Sequence, residues 1–354
     1  MWKRVLRRLS PRVEIPGEAG DDKVREGLTQ REETPMAGSR LVHIVDDLPE
    51  EIILAGGDQL PLVVVLDGFL DAGKAAERAA AHLIQTSRRA PVVATFDVDE
   101  LHDYRARRPA ISFVSDHYES FDAPRLVVRL LKDTGETPYL LLHGPEPDNR
   151  WEAFAAAVRE VVERLGVTEV IALASVPMAV PHTRPLTTTR HANDPAQELA
   201  GQVWESPWKG EIRIPASAQA LVEVRLGEWG HPAGGFVVHM PHYLAQSDYP
   251  AAAVVLVDAL ERAAKLTIPV SDLEAEAQLR EEEIASYIED NAEVREVVAA
   301  LEQQYDTFQR GEESGRSLLA PDEPLPTGDE LGEQFEQFLA GLNGPDPDDS
   351  SEKD

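Results

Sequence analysis

The sequence predicts an α/β fold: a three-layer αβα sandwich around a mostly parallel or mixed sheet, followed by a C-terminal helical hairpin. Three observations predict it. Short, continuous β-branched runs recur along the first two-thirds of the chain, as strands buried on both faces of a sheet require. Segments of helical period separate them, and strand–helix–strand alternation with right-handed crossovers puts helices on both faces. From Ser271 the chain turns to Glu, Ala, Leu and Arg with almost no turn residues, which marks helices outside the sheet.

The elements follow in order. Residues 13–39 are polar, interrupted by Gly and Pro and without periodicity, so they read as linker. The strands are "LVVVL" (62–66), "PVVATF" (91–96), "YLLLH" (139–143) and "EVIALAS" (169–175). An alanine-rich helix at 72–84 follows the first. Trp151, Phe154, Val158, Val161 and Leu165 recur at helical spacing and bury one face. Asn149 with Glu152 predicts a capping pair at the start of that helix. Further strands are predicted at "EIRIP" (211–215), "ALVEVRL" (220–226) and "GFVVHMP" (235–241), the first two alternating with charge. A helix at 251–264 closes the domain.

Beyond it, Ile284, Tyr287 and Ile288 form one apolar stripe, and Val294, Val297, Leu301, Tyr305 and Phe308 another. Asp290-Asn291 divides the run into two helices packed as a hairpin. A third amphipathic helix is predicted at 330–342. The resulting organisation is a disordered basic and polar extension (1–39), the sandwich (40–268), the helical hairpin (269–310) and an acidic, largely disordered tail (311–354).

Composition narrows the function. The 354 residues include no cysteine, which excludes disulfides, thiolate metal sites and cysteine nucleophiles and predicts a reducing cytoplasm. A formal charge of −30 argues against nucleic acid, whose phosphates demand a basic surface. No apolar run reaches the roughly 20 residues that span a bilayer, so integral membrane association is not predicted. "MWKRVLRRLSPR" places Trp2, Val5, Leu6 and Leu9 among Lys3, Arg4, Arg7 and Arg8, but lacks the apolar segment of a secretory signal. It reads as an extension, with Met36 an alternative start.

"GFLDAGKA" has the glycine and lysine spacing of a phosphate-binding P-loop at Gly68, Gly73 and Lys74. Ala75 stands where a magnesium-binding hydroxyl belongs, and Asp71 would repel a triphosphate. A plain βα turn is the default. His239 and His242, and His182 and His191, lack zinc spacing. Ser175 has no nucleophile elbow around it. No cofactor, metal or catalytic residue is therefore predicted. Geography supplies candidates instead. Loops after the carboxyl ends of parallel strands are where open α/β sheets bind ligands. The candidate binding residues are Gly68, Asp71, Gly73, His143, Asn149, Arg150, His182 and Arg184.

Three of these loops, "GFLDAG", "HGPEPDNRW" and "PHTRP", in this order and spacing, resemble the proteasome assembly chaperone family in its chaperone-2-like branch, nearest its actinobacterial members. The resemblance covers about residues 60–308. It implies an αβα sandwich similar to phosphorylase/hydrolase-like folds, without established catalysis. Relatives escort proteasome subunits, many through a C-terminal hydrophobic–tyrosine–any-residue tail; this chain ends "SSEKD". The expected function is thus a non-enzymatic, cytoplasmic, chaperone-like protein that binds protein, with proteasome subunits as partners, and self-associates as a dimer or trimer. The alternative is an enzyme or sensor for a small anionic or nucleoside-like ligand.

Overall fold

Four apolar runs form the centre of the sheet, because each offers a buried side chain to both faces. In a computed structural model, which describes residues 41–55, 59–194, 211, 213–289 and 291–313, they are β2 (Pro61–Asp67), β7 (Pro138–Pro145), β8 (Glu169–Met178) and β10 (Ala233–Pro241). They lie parallel in the order β7-β2-β8-β10. On β2 alternation divides the core: Leu62, Val64 and Leu66 enter one apolar layer, Val63 and Val65 the other.

Antiparallel strands extend the sheet on both sides, so it is mixed. On one side β6 (Val127–Lys132) runs antiparallel to β7 and to β3 (Val92–Phe96), and β1 (Val42–Ile44) runs antiparallel to β3. On the other, β9 (Thr188–Ala192) runs antiparallel to β10. The eight-stranded order is β1-β3-β6-β7-β2-β8-β10-β9. Two further strands, β4 (Ile111–Val114) and β5 (His117–Phe121), form a separate hairpin between β3 and β6.

The first layer holds α1 (Glu50–Ala55), α3 (Val98–Leu101), α4 (Trp151–Leu165) and α5 (Ala218–Glu228). The second holds α2 (Ala75–Thr86), α6 (Pro250–Ala264) and α7 (Ser271–Glu289). Helix α8 (Ala292–Glu313) completes the C-terminal pair. Gly166, at φ 70°, ends α4 by donating its N–H to the Val162 carbonyl, the left-handed stop that glycine adopts without strain.

Three local expectations are corrected. "ALVEVRL" lies in α5: Ser217 caps the helix by accepting the Ala220 N–H at 3.0 Å, and Ala218, Val222 and Leu226 point inward at helical spacing. Val224, which suggested alternation, faces solvent. Residues 211 and 213–215 of "EIRIP" form no strand. Asn149 does not cap α4. Arg150 precedes that helix in a left-handed conformation, and Glu152 pairs with Arg225 of α5 at 2.8 Å. Residues 1–39 and the helix predicted at 330–342 lie outside the described residues.

Candidate functional site

Adjacent strands β2 and β7 send the chain to opposite faces. After β2 it enters α2 in one layer; after β7 it enters α4 in the other. Their carboxyl ends, with Asp67 in register with Pro145, form the switch point where open α/β sheets place ligands. The loop after β8 and the turn after β10 flank this edge.

The βα turn after β2 is held from within. Asp71 accepts the Ala76 N–H at 2.8 Å on Oδ1 and the Glu77 N–H at 3.1 Å on Oδ2, capping α2 with its carboxylate. Those are the donors a bound phosphate would need, so the P-loop spacing is filled by the protein's own anion. Burial nonetheless raises the Asp71 pKa. Gly73 sits at φ 65°, donates to the Ala245 carbonyl at 2.8 Å and accepts the Tyr249 N–H at 3.0 Å. A Cβ there would fall 2.6 Å from the Met240 side chain. Ser175, fully buried, gives its hydroxyl proton to the Ala72 carbonyl at 2.7 Å.

His143 on β7 accepts from Arg129 Nε at 2.9 Å through Nε2. Burial, with the neighbouring Arg129 charge, pushes its pKa down to about 4, so the ring is neutral at pH 7. In the following loop Glu146 bridges two elements, accepting the Ala218 N–H at 2.7 Å and the Phe69 N–H at 3.3 Å. Gly68 leaves room for it: a Cβ at Gly68 would lie 2.6 Å from Glu146 Oε2. The Asn149 N–H reaches the Leu101 carbonyl at 3.1 Å, and Arg150 pairs with Glu100.

The Tyr243 hydroxyl accepts the His182 N–H at 2.9 Å and shares a second hydrogen bond with His182 Nδ1 at 2.7 Å. Burial lowers the His182 pKa. Arg184 grips Asp306 of α8 with two parallel bonds of 2.7 and 2.8 Å and reaches Glu302 at 3.3 Å. Thr183 also bonds Glu302, and Tyr305 donates to the Pro185 carbonyl at 3.0 Å. "PHTRP" is the seat of α8. Of the other histidines named in the sequence, His239 lies between Thr187 and Thr189, His242 packs edge-on against Tyr243 at 5.5 Å, and His191 pairs with Glu223 near the start of β10.

The sequence profile of the PAC2 family matches residues 65–288. The chain belongs to the PAC2 family. A protein of unknown function from Mycobacterium tuberculosis shares 43% identity, with 79% of this chain and 95% of that one covered and a TM-score of 0.71. Another from Corynebacterium glutamicum shares 34%, covering 77% and 99%, with a TM-score of 0.68. A proteasome-assembly chaperone homologue from M. tuberculosis shares 28%, covering 68% and 100%, with a TM-score of 0.60. Comparison with curated proteins gives no match. The PAC2 match spans all three loops and ends within α7, so α8 lies beyond it. No helix among the described residues is long and apolar enough to cross a membrane.

Two features of this PAC2 domain escape a reading of its loops. Asp67, the last residue of β2, has a half-buried carboxyl with no hydrogen-bond partner among the described residues. Burial, and then the Glu77 and Asp71 carboxylates, push its pKa up to about 7, against Lys74 and Arg107. The signal was present in "LVVVLD": a carboxylate ending a strand buried on both faces. The second feature is the β4–β5 hairpin. Ile111, Phe113, Tyr118 and Phe121 pair across one face and are 51, 60, 70 and 52% exposed. Ser112 and Ser120 bond each other at 2.7 Å. A two-stranded hairpin alone is marginal in water, and these exposed apolar side chains make it a candidate interaction surface.

Proposed function

We propose that this PAC2-family protein is a non-enzymatic, chaperone-like protein of the cytoplasm that binds another protein and self-associates. The observation that carries the proposal is the occupancy of the carboxyl edge. Asp71, His143, Arg150, His182 and Arg184 bond to groups of the protein itself, and the Ser175 hydroxyl donates a hydrogen bond to a carbonyl. Such an edge presents a shaped surface, and among its described residues no nucleophile–base pair stands ready. Proteasome subunits are the proposed partners, by the analogy with the 28%-identical chaperone homologue. Deleting the gene tests this: proteasome precursors should accumulate, and unchanged assembly would count against it.

Self-association is assigned to the β4–β5 hairpin. A second copy covers its apolar face, since every residue of the two strands is exposed and the four side chains are large enough to anchor an interface. The proposed assembly is a dimer or a trimer, which light scattering distinguishes.

Asp67 favours a second proposal, an enzyme or sensor for a small molecule. An unpaired carboxyl at the switch point suits a nucleoside-like group that donates hydrogen bonds, and disfavours the anionic class. A thermal-shift series with nucleosides and with inorganic phosphate tests it. A ligand should raise the melting temperature with the logarithm of its concentration. A flat series in wild type removes this proposal.

A further inference from the structure

Among the described residues one buried side-chain nitrogen or oxygen has no hydrogen-bond partner: Nδ1 of His102, whose side chain is 6% exposed. The ring's other nitrogen, Nε2, lies 2.9 Å from the Arg107 carbonyl oxygen. A carbonyl only accepts, so Nε2 carries the hydrogen, and Nδ1 of the neutral ring is a lone pair. That lone pair faces another acceptor, Oδ2 of Asp148, at 3.6 Å. Addition of one proton turns two opposed acceptors into a charge-assisted pair.

The acceptor that faces Nδ1 belongs to a carboxylate. Asp148 Oδ2 also accepts the Asp103 N–H at 2.7 Å and Arg107 Nη2 at 2.7 Å. Burial opposes its charge, but these donors outweigh burial and hold Asp148 below the usual carboxylate range. Glu146 lines the small apolar cavity beside His102, with Leu101 and Pro145 among its walls. Leu126, the residue before β6, also lines that cavity. The Tyr104 ring packs edge-on at 4.8 Å, and its hydroxyl donates to Asp99 at 2.6 Å. The Arg107 guanidinium reaches the Asp148 carboxylate and the Glu146 backbone carbonyl, while the Glu146 carboxylate accepts the Ala218 and Phe69 N–H groups.

The contact joins two functional parts. His102 to Arg107 is the segment between α3 and the β4–β5 hairpin, and Asp148 belongs to the loop after β7. We infer that His102 is a proton-operated latch that, when its ring is charged, adds a charge-assisted bond to those by which Asp148 already holds the root of the hairpin to the carboxyl-edge loop. The protonated form gains the partner, so the latch closes as pH falls and opens as pH rises. The latch rests on the proposed role of the hairpin only for its consequence, which is pH-dependent self-association.

The test uses the full chain at about pH 8 and about pH 5.5, on either side of the range in which imidazoles change charge. Nitrogen-15 NMR of the imidazoles should show His102 protonated at Nε2 alone at the higher pH and at both nitrogens at the lower. Amides of residues 103–108, corrected for intrinsic exchange, should gain roughly fivefold protection at the lower pH. Asp148→Asn and, independently, His102→Gln should each abolish that gain. A gain that survives both variants, or no gain in wild type, overturns the latch. Light scattering at both pH values separates the two proposals. A latch that closes without any change in mass stands, and counts against the hairpin as the association surface. A mass change without His102 ionisation overturns the latch.

Discussion

The guanidinium of Arg184 holds the carboxylate of Asp306 through two parallel hydrogen bonds, 2.7 and 2.8 Å long, across 122 residues of sequence. With Thr183–Glu302 and Tyr305–Pro185, this pair seats the last helix on the loop after β8. Arg184→Ala should leave the sandwich folded and speed hydrogen exchange in α8 several-fold; unchanged exchange there would show that the pair does not hold the helix. The pair also sets a pH limit. The Arg184 bond holds Asp306 below the ordinary carboxylate range. A depressed carboxyl pKa contributes above its unfolded value and is lost as pH falls through the folded one. The α8 protection should therefore persist through the ordinary Asp range and fail only below it.

His143 acts in the opposite direction. Its pKa of about 4 lies below the ordinary imidazole value of about 6.5, so the unfolded chain binds the extra proton. Stability should fall as pH drops between those limits. The full shift corresponds to about 3 kcal/mol, which partial solvent access reduces to roughly 1–2 kcal/mol. His143→Gln should flatten that part of the profile in denaturant titrations, and an unaltered slope would show that the ring is not held neutral.

Asp67 carries the reverse sign. Its carboxyl is raised to about 7, so the folded state binds the extra proton and ionisation destabilises it as pH rises from about 4 to 7. Asp67→Asn should stabilise the protein above pH 7 by roughly 1–3 kcal/mol, allowing for relaxation around the charge. A destabilised variant would mean that the carboxylate has a partner of its own. If the small-molecule proposal holds, the same substitution should erase any nucleoside-induced thermal shift.

Gly73 is required by geometry. Gly73→Ala places a Cβ against Met240 at a left-handed φ and should cost about 1–3 kcal/mol. The thermal midpoint would report it, and a neutral result would mean that the turn after β2 relaxes freely.

The hairpin makes the oligomer prediction. Phe113→Ser with Tyr118→Ser should lower the mass seen by light scattering to that of a monomer while circular dichroism is retained. A wild-type monomer, or a double variant of undiminished mass, rejects the assignment.

The sequence displayed the parallel strands because β2, β7, β8 and β10 are buried on both faces and read as continuous apolar runs. Short edge or inserted strands carry no such signature: β1 has three residues, and β6 includes Arg129 and Lys132. α5 was misread because Val222 and Val224 alternate with charge, and only the Ser217 cap and the inward Leu226 reveal the helix. The loops of the candidate site were legible as loops, yet their roles depend on distant partners. Asp71 faces N–H groups five and six residues on, whereas Arg184 finds its carboxylate on α8. Asp67 was hidden for a different reason, since it ends a strand and belongs to no loop.

Reconstitution tests the central claim most directly. Purified proteasome α- and β-subunits from the source organism are mixed with and without the full chain, and the masses of subunit complexes are followed by native mass spectrometry. A chaperone-like role predicts a defined complex of the chain with subunits and faster appearance of assembled particles. No complex, with assembly proceeding at the same rate, would contradict it.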